Sequence, residues 1–243
     1  RAERAGSGTL LFSCSYALMG FVFVYQQNIL WLDGIIFLPL VLWGVQRLMS
    51  RRRPLLFILS LAACLITNYY IAYMICLFSA LYFLFRLAVI NPRSPRLRGR
   101  AVLISCGRLL GGYLAAAGLA AFALLPTAFS LMGGDKTLGL LSRLSLGVRF
   151  ETGDLFSKLF TGSFENRDMW TSPLPVMFCG LLITLLLFLY FFNRRIRFRE
   201  KVAAGIWLAV MFCGFQVEAL YLIWHAFNFP IGFPSRQAFL FSF

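Results

Sequence analysis

Apolar runs about as long as a bilayer crossing recur from Leu10 to the last residue, separated by short basic clusters. A helix crossing roughly 30 Å of hydrocarbon needs about 20 apolar residues, within a range of about 17–25. Leu10–Tyr25, Leu30–Gln46, Leu109–Leu125, Pro173–Phe192 and Val202–Ala219 are the clearest runs. Composition agrees, because 60% of the 243 residues are hydrophobic and 13% are charged. Soluble domains carry about 25% charged residues. The class that follows is an all-α, polytopic transmembrane bundle.

Charge organises the runs. The long apolar stretch Pro54–Ile90 is preceded by Arg47, Arg51, Arg52 and Arg53 and closed by Arg86, Arg93, Arg96, Arg98 and Arg100. The positive-inside rule places both clusters in the cytoplasm, so the chain crosses an even number of times between them. The polar break Thr67-Asn68-Tyr69-Tyr70 is the natural outer turn, giving two short helices, Pro54–Ile66 and Ile71–Leu87. Alternation then puts Gln26-Gln27-Asn28, the long loop Thr127–Ser172 and the stretch Glu218–Ser235 outside. Arg194, Arg195, Arg197, Arg199 and Lys201 fall inside. One multi-pass membrane domain over residues 1–243 results, with about seven spans and the start of an eighth. The chain opens on Arg1 and ends within an apolar run, so it reads as an internal piece of a longer protein.

The net charge of +14 does not indicate nucleic-acid binding, since the positives sit in clusters between apolar runs rather than on one folded face. All six cysteines lie inside apolar runs, without a CxxC pair, and His225 is the lone histidine. A zinc site needs clustered Cys and His ligands, so no metal site is assigned and the cysteines read as packing residues. Glu165-Asn166-Arg167-Asp168 could share a divalent ion through carboxylates three apart, a weak signal in an acidic loop. There is no G-x-S-x-G elbow, P-loop or H-E-x-x-H. No catalytic residue or cofactor is assigned.

The outer loop has room for helices lying in the interface. Both 138–146 and 154–160 place apolar residues at near-helical spacing, with Arg143 and Lys158 able to reach towards headgroups. An ordinary packed loop is the alternative.

Candidate binding residues gather at expected outer ends. Asp33 follows Trp31 near the start of the second run, where an acid must be wetted or paired. It can face an outer cavity, or sit beside an aromatic-belt Trp. Asn68, Tyr69, Tyr70 and Tyr73 crowd the outer turn of the hairpin, as interface anchors or as the lining of a sugar site. The densest feature runs from Trp224 and His225 through Asn228, Pro230, Gly232 and Pro234 to Arg236. Two prolines four apart forbid a regular helix there. Arg236 then enters the next run from the outer side, against the orientation trend, where a guanidinium can clamp a phosphate through paired hydrogen bonds. His225 titrates near neutrality when unperturbed. The plainer alternative is a snorkelling arginine with a histidine in the aromatic belt.

Several stretches resemble the bacterial YfhO-type membrane protein family. They are Trp31-Leu-Asp33 through Pro39; Leu55-Leu-Phe57 through Thr67-Asn68-Tyr69-Tyr70 to Met74; Asp154-Leu-Phe-Ser-Lys-Leu-Phe through Gly162; and Trp224-His225 through Arg236 to Phe243. Ser235 and Gln237 stand beside Arg236 where aromatics belong in that pattern. Proteins similar to this are regarded as multi-pass glycosyltransferases using a lipid-phosphate sugar donor. The resemblance implies transfer from a polyprenyl-phosphate carrier to a cell-envelope polymer of teichoic-acid type, on the outer face of the cell membrane. It also implies a catalytic acid in an outer loop ahead of Arg1, leaving donor-binding and scaffold parts here. A transporter or lipid flippase is the rival reading. Transporters place ionisable residues near the midplane, whereas Asp33, His225 and Arg236 fall at the outer boundary of the expected spans.

Overall fold

The computed structural model describes residues 2–50, 52–89, 95–132, 145–160, 162–164, 174–230 and 232–243. Within them the chain is all-α. In order the helices are α1 (Ala2–Ala17), α2 (Gly20–Tyr25), α3 (Ile29–Met49), α4 (Leu55–Thr67), α5 (Tyr69–Val89), α6 (Pro95–Leu119) and α7 (Ala121–Met132). They continue with α8 (Thr152–Ser157), α9 (Leu181–Phe192), α10 (Phe198–Gln216), α11 (Glu218–Trp224) and α12 (Ala238–Ser242). Four helical stretches are long and apolar enough to cross a membrane: Gly6–Tyr25, Ile29–Met49, Tyr69–Val89 and Gly99–Leu119. Large apolar side chains such as Leu103, Leu114, Phe122 and Phe129 are exposed, which suits a surface solvated by lipid. The chain forms two compact units, Ile29–Arg143 and the combination of Arg1–Asn28 with Leu144–Phe243.

In the Ile29–Arg143 unit, close helix packing is set by small residues. Phe57 of α4 is fully buried between two glycines. A Cβ at Gly44 of α3 would lie 2.6 Å from the Phe57 Cα, and one at Gly112 of α6 would lie 2.7 Å from its ring. Small residues let helix backbones approach this closely in lipid, where packing replaces the hydrophobic drive. Polar ties join α3 and α6 to α5. Gln46 Nε2 donates to Tyr82 Oη at 2.5 Å, and Tyr113 Oη donates to the Cys76 carbonyl at 3.0 Å. The hairpin break falls at Asn68, which is extended at φ −153° and ψ 93°. Its Oδ1 accepts the Ile71 N–H at 3.1 Å, capping α5. α5 has 21 residues and is not the short helix expected there; only α4, with 13, is.

The expected run Leu109–Leu125 straddles a second break at Ala120, between α6 and α7. That break follows Gly118, a residue poorly suited to a helix interior, while Pro126 falls within α7.

In the other unit three expected runs are interrupted. Leu10–Tyr25 is divided at Leu18 and Met19, where the Gly20 N–H turns to the Phe178 carbonyl at 2.7 Å. Of the run expected from Pro173, the described part, from residue 174, is helical only from Leu181, after Gly180 at φ +110°, a region open mainly to glycine. Val176 and Met177 ahead of it are buried in a non-helical segment. Val202–Ala219 is divided at Val217. Aromatic contacts then tie α2 to α12, with the Phe21 and Phe239 rings 5.5 Å apart.

The outer-loop helices come out differently from expectation. Residues 138–144 lie outside the described residues, while 152–157 form the single-turn helix α8. Lys158, expected to reach outwards, is buried at 7% exposure and its Nζ donates to the Ser163 carbonyl. A lysine folded onto its own loop satisfies its charge locally and is no headgroup anchor.

Candidate functional site

The joint between α10 and α11 builds the site. Val217 is extended at φ −86° and ψ 122° and forms an antiparallel bridge with Val148. Around it, Arg149 N–H donates to the Gln216 carbonyl at 2.9 Å. Glu218 N–H donates to Gly147 and Ala219 N–H to Ser145, each at 3.0 Å. The stretch 145–149 thereby satisfies backbone groups that a broken helix would leave bare. It also delivers the Arg149 side chain to α11. The guanidinium carbon lies 3.4 Å from the Tyr221 ring centroid, and Nη1 donates to the Phe215 carbonyl at 3.1 Å.

Tyr221 is 1% exposed and its hydroxyl accepts the Ser235 N–H at 3.1 Å. One turn on, His225 is fully buried, its ring 4.0 Å from that of Tyr221. Its Nδ1 lies 2.8 Å from the Tyr221 carbonyl. A carbonyl only accepts, so Nδ1 carries the proton in the neutral ring. Burial pushes this imidazole down to about 3, the Tyr221 carbonyl bond opposing and the Arg236 and Arg149 charges adding to the fall. His225 is therefore neutral at physiological pH and is not an acid for catalysis.

The chain leaves α11 through a loop of unusual backbone. Ala226, Phe227, Phe233 and Ser235 all have positive φ, between 49° and 61°, as does Gly232. Left-handed geometry costs a non-glycine residue about 1–3 kcal/mol and persists only where its surroundings impose it. Here Arg236 supplies part of that constraint. Its Nε donates to the Phe233 carbonyl at 3.1 Å and its Nη2 to Gly232 at 3.2 Å. Burial pushes the Tyr221 phenol up, while the charges of Arg149 and Arg236 oppose that shift. Both guanidiniums thus act on one phenol.

Of the residues singled out in the sequence, His225 and Arg236 meet here. Asn228 is exposed on the same loop. Asp33, Asn68, Tyr69 and Tyr70 belong to the Ile29–Arg143 unit. There Asn68 donates to the Leu30 carbonyl at 3.1 Å, Asp33 and Tyr70 are half-buried, and Tyr69 is exposed. Residues 165–168 lie outside the described residues. Sequence reasoning missed Arg149 and Tyr221. One hint of Arg149 lay in the sequence: like Arg236, it is an arginine in a stretch that the charge pattern leads one to expect outside. No three His, Cys, Asp or Glu side chains converge on a metal position among the described residues.

Residues 2–243 match the family described as bacterial membrane protein YfhO. The chain belongs to that family. No curated protein and no solved structure matched. In this YfhO-family chain the motif from Trp224 to Arg236, which carries part of the resemblance, is the segment that folds around Tyr221 and His225. Chemically the arrangement offers guanidinium forks and a phenol beside a neutral imidazole. Those are groups suited to binding an anion.

Proposed function

We propose that this YfhO-family chain is part of a membrane glycosyltransferase that takes a sugar from a polyprenyl-phosphate carrier. The acceptor is a cell-envelope polymer of teichoic-acid type, reached on the outer face of the cell membrane. On this reading the chain is one multi-pass membrane domain of about seven spans and the start of an eighth. Asn68, Ser163 and Asn228 face outwards, and Pro95 and Arg195 face the cytoplasm. Arg236 holds the donor phosphate, with His225 and Asn228 on the same loop. Asp33, Asn68, Tyr69 and Tyr70, in the Ile29–Arg143 unit, are separate candidates for contacting a sugar.

The observation that carries the reading is the placement of Arg236. It is half-buried at the end of a strained loop inside the motif shared with the family. A lipid-linked donor presents its phosphate at headgroup depth and its chain to hydrocarbon. It calls for a fixed cation near the end of a helix, and a guanidinium suits it because two N–H groups can meet two phosphate oxygens.

Full-length Arg236→Lys and Arg236→Gln test this in cells, with envelope-polymer glycosylation normalised to protein abundance. Lysine lacks the planar fork, so both variants should lose roughly tenfold or more in glycosylation at limiting donor. Wild-type glycosylation by both at equal abundance would refute the phosphate role.

A further inference from the structure

We propose that Arg149 and the Tyr221 hydroxyl form the second half of the same anion site, so that the donor phosphate is gripped from two separate chain segments. This rests on the reading of Arg236 as a phosphate ligand and adds two residues to it.

Three observations support it. First, Arg149 is brought in by backbone pairing, not by its own charge. The bonds at Ser145, Gly147 and Arg149 fix the 145–149 stretch against the α10–α11 joint, and the side chain follows. A structural arginine could serve as well from an ordinary loop; this one is positioned like a ligand on a rigid support. Second, Arg149 stacks on the Tyr221 ring, and Arg236 directly follows Ser235, whose N–H meets the Tyr221 hydroxyl; each arginine is also bonded to backbone carbonyls that fix its orientation. Guanidiniums repel one another unless an anion joins them, and a phosphate with two free oxygens takes one fork on each. Third, the Tyr221 hydroxyl already accepts a bond from the Ser235 N–H, while Arg149 stacks on the face of its ring. A phenol has one proton to give, and the described residues offer it no acceptor. A buried hydroxyl in that position suits an oxyanion.

Glu218 sharpens the argument. Its carboxylate acts electrostatically on Arg149 and so competes with any anion for that guanidinium. Removing its charge should strengthen anion binding, a gain that misfolding cannot imitate.

The test uses the full-length protein in detergent micelles, with farnesyl phosphate as the probe and farnesol as the neutral control, both titrated by microscale thermophoresis. The wild type should prefer farnesyl phosphate. Arg149→Gln should lose about tenfold in affinity for it and none for farnesol. Tyr221→Phe should lose roughly threefold to tenfold, and Glu218→Gln should gain roughly twofold to fivefold. Should Arg149→Gln fail to fold, Tyr221→Phe and Glu218→Gln decide. Unchanged affinity in both overturns the proposal. If Arg236→Gln weakens phosphate binding while Arg149→Gln, folded, does not, the second half of the site is wrong and the Arg236 reading stands. A wild type with no preference for the phosphate, or an Arg236→Gln that keeps it in full, defeats the underlying reading and this inference with it.

Discussion

The two units of this chain are held together by different means. In Ile29–Arg143, helices meet through glycines, and Phe57 fills the space that Gly44 and Gly112 leave open. In the unit that carries Arg236, helices are interrupted and polar contacts organise the interruption. Arg149, Tyr221, His225 and Arg236 bond to backbone, and four non-glycine residues adopt left-handed geometry between 226 and 235. The first unit is determined by volume and the second by hydrogen bonds and charge. The first should therefore fail on size changes and the second on proton and charge changes.

The largest expected effect follows from the glycine contact. A leucine at Gly44 would place its Cβ 2.6 Å from the Phe57 Cα, and backbone cannot give way as a side-chain tip can. Overpacking of this kind costs about 3 kcal/mol or more. Gly44→Leu should not accumulate as folded protein. Gly118→Leu, with open space around its Cβ, should melt like the wild type. Equal melting of the two in detergent would show that close fit does not hold this unit.

In the other unit the test is pH. His225 titrates near 6.5 in an unfolded chain and at about 3 where it lies. Between those values the unfolded state binds the extra proton, so stability falls as pH drops below about 6.5 and levels off near pH 3. Each pH unit in that window costs about 1.4 kcal/mol, or about 2 kcal/mol at pH 5. His225→Gln removes the titration, so its melting temperature should change less between pH 7 and 5 than that of the wild type. Parallel pH curves for the two proteins would mean that His225 is not held neutral. The Gly44 packing should be indifferent to the same change.

This contrast also explains what could be read in advance. The break at Asn68 was legible because the four polar residues Thr67-Asn68-Tyr69-Tyr70 interrupt an apolar run between two basic clusters. Apolar residues continue through Ala120, and the break at Val217, marked in sequence only by Gln216 and Glu218 on either side, is held by the pairing of Val217 with Val148. The run from Pro173 misled for a related reason. Apolar composition is the same for a lipid-facing helix and for a non-helical segment buried in protein, as Val176 and Met177 are. Arg236 and His225 stood out through the Pro-Gly-Pro loop beside them. The place of Arg149 against Tyr221 depends on the long-range bridge between Val148 and Val217, which no local pattern records.

The smallest effect expected is at Asn68, where the two kinds of support meet in one residue. Asn68 joins α4 to α5 within the volume-determined unit, yet it does so by hydrogen bonds. Its Oδ1 caps α5 through the Ile71 N–H, and its Nδ2 reaches the Leu30 carbonyl near the start of α3. Replacing an N-cap asparagine by alanine costs about 1 kcal/mol, and a neutral hydrogen bond contributes about 1 kcal/mol more. Asn68→Asp keeps an acceptor for the cap, adds a favourable charge at a helix N-terminus, and loses the donor to Leu30. Asn68→Ala loses both. If hydrogen bonds at this turn matter in a unit held by packing, Asp should lie between wild type and Ala in melting temperature. If close fit alone decides, all three should melt together, since none of the substitutions adds bulk.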